Sequence, residues 1–248
     1  MLRFMTRQIR DQNWVTVAVE FAIVVAGVLL AFQINAWSEA ARTRAVETAY
    51  LHRLNTEMDV ALASIAQAID DAQAQIADLD QAMALLADGG AFSTADERIL
   101  RLGLTAADRY RSVSPPRAVL DDLVAIGGLA SLGDPEVRQA ISAYRTALDR
   151  INQRFETYAR DAVSLVDVVG VDGPVRRLYR PDAFSRSVLS IEFERLQADA
   201  AFQTAFLGQL RVQIVAQDDR RHVFAQAQAL KRALEASLDT QQHYTDEP

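Results

Sequence analysis

Two groups of residues in this chain have types and spacing that could do chemistry. One is Glu20, a carboxylate set in an apolar stretch; the other is the run Gln217-Asp218-Asp219-Arg220-Arg221-His222. Asp218 and His222 stand four apart, so on a helix they share a face and could offer two metal ligands. A single pair at that spacing arises easily by chance, and Arg220 and Arg221 beside it would repel a cation. The run therefore reads as a polar layer or local bend with i,i+4 charge pairing. Asp218, Arg221 and His222 are its candidate interaction residues. The histidines are His52, His222 and His243, and cysteine is absent, which removes disulfides, thiolate nucleophiles and Cys-ligated metal centres. No Gly-rich phosphate loop, GxGxxG, GxSxG or HExxH occurs. The carboxylate pairs Asp70-Asp71, Asp121-Asp122 and Asp218-Asp219 are adjacent in sequence, so a helix would splay each pair apart. No residue is assigned a catalytic, cofactor-binding or metal-binding role, no cofactor is expected, and the chain reads as a non-enzyme.

Glu20 belongs to WVTVAVEFAIVVAGVLLAFQINAW, residues 14–37. The unbroken apolar part, Phe21 to Phe32, is shorter than the about 20 residues that span hydrocarbon. Including residues 14–19 supplies the length, provided that Glu20 lies in the membrane. Trp14 and Trp37 suit the two interfaces. The span is thus expected to be a transmembrane helix with a cytoplasmic N-terminus at 1–13, because Arg3, Arg7 and Arg10 slightly outweigh the basic residues just after it. A cleaved signal peptide is the rival reading, against which stands the lack of a small-x-small site after Ala36. A buried core helix is the other.

Thr16, Glu20, Val24, Gly27, Ala31, Asn35 and Ser38 fall on one third of the helix circumference. Gly27 and Ala31 form a small-xxx-small pair that lets another helix approach closely. A carboxylate at mid-bilayer costs roughly 2.5–3.5 kcal/mol on insertion scales, so such a residue faces protein or water. Thr16, Glu20, Gly27, Ala31 and Asn35 are therefore the candidate helix-packing residues.

These elements need a scaffold, and composition says which kind. Hydrophobic residues make up 50% of the chain while Gly and Pro number only 10 and 6, which favours long helices over turn-rich β architecture. A net charge of −7 argues against nucleic acid as a partner. The expected fold is all-α: the anchor, then an elongated antiparallel helical bundle over residues 38–248. Its first helix runs from about Ser38 to Ala87 and stops at Gly89-Gly90. Leu51, Met58, Ile65, Ala72, Leu79 and Leu86 repeat every seven residues, and Asp59, Gln67, Asp70, Asp71, Gln75 and Asp78 form the solvated face. Thr94 and Glu97 read as a capping box. Asp134-Pro135-Glu136 opens the clearest helix, whose apolar positions alternate steps of four and three from Val137 to Val169, with Gly170 closing it. Val171 to Arg186 reads as an irregular connection; its Arg176, Arg177, Arg180 and Arg186 could meet anionic headgroups or an acidic partner. The last long helix, about 199–238, carries Phe202, Phe206, Leu210, Ile214, Phe224, Leu230, Leu234 and Leu238.

The stretch EFAIVVAGVLLAFQINAWSEAARTRAVETAYLHRL, with Glu20, Gly27, Ala31, Gln33, Asn35, Trp37, Glu39, Tyr50 and Leu51, resembles the opening of a bacterial domain-of-unknown-function family of single-pass membrane proteins. Its motif reads E-x(6)-G-[IV]-L-[IL]-A-x-Q-x-N-x-W-x-E. LDDLVAIGGLASLGDPEVRQAISAY is similar to that family's second pattern. The resemblance implies an inner-membrane anchor with a helical domain, and implies no activity; a periplasmic place for that domain is expected from the charge balance around the span. The expected function is a membrane-anchored scaffold, adaptor or sensor-like module. Its partners would be the lipid bilayer and either a second copy or another membrane protein. The alternative is a subunit of an oligomeric ion or proton path built around Glu20.

Overall fold

A computed structural model describes residues 14–107, 109–110, 112–161, 165, 175–178 and 188–246. The chain forms two compact units, residues 1–51 and 52–248. Helix α1, Trp14–Asp88, contributes to both.

In the first unit α1 shows its apolar side chains to the outside. Every large apolar residue from Val19 to Trp37 is exposed, from 38% at Val25 to 72% at Trp37. The most apolar 18-residue window has a mean hydropathy of 2.0, and none of it is buried. Among the described residues this is the one helix long and apolar enough to cross a membrane. The buried-core-helix reading has no support here.

The second unit is built from helices, as its periodicities predict. After α1 come α2 (Thr94–Ala107), α3 (Ala118–Ala125), a 3-10 turn (Gly128–Ser131), α4 (Pro135–Asp161), α5 (Phe193–Ala198) and α6 (Ala200–Asp246). Gly89 ends α1 with φ of +72°, a left-handed conformation that glycine adopts without a Cβ clash. Asp134 caps α4 as expected, accepting from the Glu136 and Val137 N–H groups at 2.8 and 3.4 Å. The expected Gly170 terminus lies outside the described residues.

Three expectations need correction. The capping box of α2 is Ser93 and Asp96, one residue earlier than Thr94 and Glu97. Thr94 is the first helical residue, so Ser93 is the cap, and Asp96 three positions on reaches back to the Ser93 N–H at 2.8 Å. Those hydrogen bonds from Ser93 hold the Asp96 carboxyl below its ordinary range. The segment expected to be irregular contains strand β1 (Val175–Leu178), which pairs antiparallel with β2 (Val188–Ile191), Val175 opposite Ile191. Five apolar residues among the eight, with β-branched Val and Ile, suit a short ribbon. It is an appendage to an all-α protein. Finally, α6 continues to Asp246, well past Leu238.

Two apolar regions occupy the bundle. One joins Leu79, Ala82 and Leu86 of α1, Leu100 and Leu104 of α2, Leu196 of α5, and Phe202, Phe206 and Leu210 of α6. Its tightest point is Gly103, where an added Cβ would sit 2.4 Å from the Ala82 Cβ and 3.1 Å from the Asp78 carbonyl oxygen. Toward the other end, Leu54, Met58, Ala61 and Ile65 of α1 are buried, as are Val137, Ile141, Tyr144, Leu148 and Ile151 of α4 and Val223, Ala227, Leu230 and Leu234 of α6. Helix α6 runs antiparallel to α1: Lys231 reaches Asp59 (2.7 Å), and Gln217 reaches the Ile69 carbonyl (2.9 Å).

Candidate functional site

Of the expected packing residues on α1, Glu20, Gly27, Ala31 and Asn35 are all exposed, and only the helical backbone of Thr16 is described. An added Cβ at Gly27 would meet nothing within 4 Å. At Gly27 the small residue leaves open space on the N-terminal part of α1, whereas at Gly103 it admits a neighbouring helix.

The run 217–222 divides between surface and interior. Asp218, Arg221 and His222 are exposed, and the Asp218–Arg221 pair, at 3.4 Å, is a solvent-facing i,i+3 contact. Such pairs contribute little to stability. Arg221 also reaches Gln73 of α1 at 3.4 Å. His222 lines a shallow hollow between α4 and α6 with Ser142, Thr146, Arg150 and Gln226. Among the described residues no group of three or more His, Cys, Asp or Glu is placed to hold a metal ion.

The polar layer expected of the run enters the interior through residues other than the candidates Asp218, Arg221 and His222. Gln217 and Arg220 are 2% exposed, and with Gln209 and Gln213 they make a buried polar stripe along α6. The Arg220 guanidinium stacks 4.8 Å over the Phe155 ring of α4, a cation–π contact in a desolvated setting. Burial pushes the Arg220 pKa down and the adjacent Asp219 pulls it up. Asp219 itself bridges to Arg154 of α4 at 2.5 Å. Gln213 donates to the Arg109 carbonyl (2.9 Å), and Gln75 of α1 donates to the carbonyls of Ala106 (2.6 Å) and Arg109 (2.9 Å). Two glutamines from different helices thus meet carbonyls at the end of α2, where the Ala106 oxygen also accepts from the Arg109 N–H at 3.1 Å. Gln75, expected on the solvated face, is half-buried for this reason.

A second polar insertion lies near Tyr144. The Glu57 carboxylate of α1 accepts from Val119 N–H (2.7 Å) and Leu120 N–H (3.2 Å), capping α3, whose own cap residue Arg117 makes no side-chain cap bond. The carboxylate also suits the positive end of the helix dipole. The Tyr144 hydroxyl is buried without a hydrogen-bond partner among the described residues. Burial, with a contribution from Glu57 and against Arg117, pushes its pKa up to about 12.

A signal for the α6 stripe was present in the spacing. Phe202, Phe206, Gln209, Gln213, Ala216, Arg220, Val223, Ala227, Leu230, Leu234 and Ser237 alternate steps of four and three, and all are buried. Following only apolar residues at steps of four led from Leu210 to Ile214, which is 46% exposed. The buried repeat is seven residues, and its polar members hid it.

No protein-family model matches the chain, and neither does any curated protein or solved structure at the threshold of comparison. The architecture stands on its own: an all-α protein with one N-terminal helix long and apolar enough to span a membrane.

Proposed function

We propose that this chain is a single-pass protein of a bacterial inner membrane. Residues 14–37 cross the bilayer, 1–13 are cytoplasmic, and the helical bundle stands in the periplasm as a scaffold, adaptor or sensor-like interaction module. The observation that carries this reading is the run of exposed apolar side chains from Val19 to Trp37. A helix apolar all round needs either a protein core or lipid around it, and this stretch has no protein core. The adaptor part of the reading is supported by the joining of this apolar stretch to a helical bundle through the single helix α1.

Purification in mild detergent tests the proposal. A fixed stoichiometry with another membrane protein supports the adaptor reading. A homo-oligomer whose ion flux in liposomes disappears with Glu20→Gln replaces it with an ion path, which Glu20 within the apolar span would serve. Orientation has its own probe. Single cysteines at the exposed positions Gln73 and Gln153 should react with an impermeant maleimide in intact spheroplasts. Labelling only after lysis reverses the topology.

A further inference from the structure

We propose that the buried polar stripe of α6 is a register lock: it fixes the sliding position of α6 against α1 and α4 at a cost in stability. The reason a lock is needed lies in the repeat. From Phe202 to Ser237 the buried positions of α6 recur every seven residues. Those of α4 (Val137, Ile141, Tyr144, Leu148, Ile151, Phe155) and α1 (Leu54, Met58, Ala61, Ile65, Ala72, Leu79, Ala82, Leu86) follow the same spacing. Helices that share a seven-residue repeat can slide by one repeat, about 10 Å, and still bury a stripe against a stripe. Apolar packing alone distinguishes such alignments weakly. Polar groups inside the seam distinguish them strongly, because each needs a partner at one place.

The stripe has that property. The Gln217 amide finds the Ile69 carbonyl, Gln213 finds the Arg109 carbonyl, Asp219 finds Arg154, and Arg220 finds the face of Phe155. Moving α6 by seven residues separates all four at once and leaves a buried guanidinium over no ring. Lys231, the single lysine, adds a fifth fixed point on Asp59 and the Asn55 carbonyl. The cost is visible in the same residues. With their Nε2 groups committed to backbone carbonyls, Gln213 and Gln217 keep buried Oε1 atoms without hydrogen-bond partners among the described residues, as does Asp219 at Oδ2. A stripe selected for stability alone would be apolar.

The test uses the full chain in detergent, whose lack of native cysteine allows register to be mapped with a short bifunctional thiol reagent. The tips of the Gln73 and Arg221 side chains meet in this alignment, a span such a reagent bridges, so Gln73→Cys with Arg221→Cys should cross-link. Gln73→Cys paired with Gln228→Cys or Ile214→Cys, one repeat to either side, should not. Placing Gln213→Leu, Gln217→Leu and Arg220→Met in each background should keep the helical content and raise or maintain the melting temperature. It should also bring at least one shifted pair to a cross-linking yield within a few-fold of the first. Retention of the Gln73–Arg221 cross-link alone would overturn the lock, as would a triple variant that no longer folds. The milder Gln217→Met with Arg220→Met runs the same assay with less change in volume. A melting temperature lowered by this pair, with register unchanged, would make the stripe a stabilising core instead.

Discussion

Residues 19–37 of α1 and residues 209–220 of α6 both reverse the ordinary relation of polarity to burial. In the first, Phe21, Phe32 and Trp37 are about 70% exposed; in the second, Gln213, Gln217 and Arg220 are almost fully buried. Each reversal has its own physical resolution. Exposed apolar side chains are stable when the surrounding medium is not water, and the first region is long and apolar enough to cross a membrane. Buried polar side chains are stable when specific partners replace water, so the second points inward, to the Ile69 and Arg109 carbonyls and the Phe155 ring. An apolar surface reports what the chain is immersed in; a polar interior reports how its helices are aligned.

Removing the first region should have the largest effect. A chain beginning at Ser38 should leave the membrane fraction and stay in solution without detergent, with its helical content retained. Full-length protein that remains in the supernatant after membranes are pelleted would break the comparison, since its apolar stretch would then be covered in water. Paired glycines sharpen the same contrast. Gly103→Ala places a Cβ 2.4 Å from Ala82 and against the Asp78 carbonyl, so denaturant unfolding should show a loss of about 1–3 kcal/mol from overpacking. Gly27→Leu meets nothing within the chain and should leave that unfolding curve unchanged. If the anchor packs on another helix, Gly27→Leu and Ala31→Leu should weaken that association while Val25→Leu is silent.

The sequence carried these two regions unequally. Apolar residues at regular spacing made α1, α4 and the all-α class legible, because burial of a periodic face is what stabilises such helices. Asp134 announced the start of α4 through local chemistry. Glu57 could not be read in this way, since the N–H groups it accepts belong to residues more than sixty positions away. In the sequence Gln217 reads only as part of the polar run 217–222, and Gln209 and Gln213 prompt no reading, because Gln is by type a surface residue; all three are buried. Asp218, Arg221 and His222 drew attention by type, while the residue that enters the interior is Arg220. Spacing could have placed Arg220 on the buried repeat; which groups it and the glutamines meet is set by tertiary contacts that spacing does not contain.

Glu57 and Tyr144 extend the comparison into the bundle with effects of middle size. Removing the Glu57 carboxylate leaves two backbone N–H groups of α3 without their acceptor, so Glu57→Ala should cost about 1–3 kcal/mol of unfolding free energy. Glu57→Gln, which keeps one acceptor oxygen, should cost less. A Glu57→Ala variant as stable as the parent would mean that α3 does not depend on this cap.

The smallest effect at neutral pH, and the most diagnostic, is expected at Tyr144. Its hydroxyl is a buried polar group without a hydrogen-bond partner among the described residues, so Tyr144→Phe should leave stability at pH 7 unchanged or raise it by about 1 kcal/mol. The same burial makes a pH signature. Because the folded pKa is pushed from 10.0 up to about 12, the native chain holds a proton that the unfolded chain has already released. The unfolded state then binds fewer protons, and stability falls as pH rises. This contribution is fully present below pH 10 and is lost between pH 10 and about 12, at roughly 1.4 kcal/mol per pH unit. Denaturant midpoints measured from pH 8 to 11 should therefore decline for the parent chain and decline less for Tyr144→Phe. Glu57→Gln removes a negative charge that helps to raise this pKa, so its decline should begin at higher stability loss at neutral pH but be shallower above pH 10. A Tyr144→Phe variant that is weaker at pH 7 would show that the hydroxyl is engaged after all, and parallel profiles above pH 10 would show that the ring oxygen reaches water.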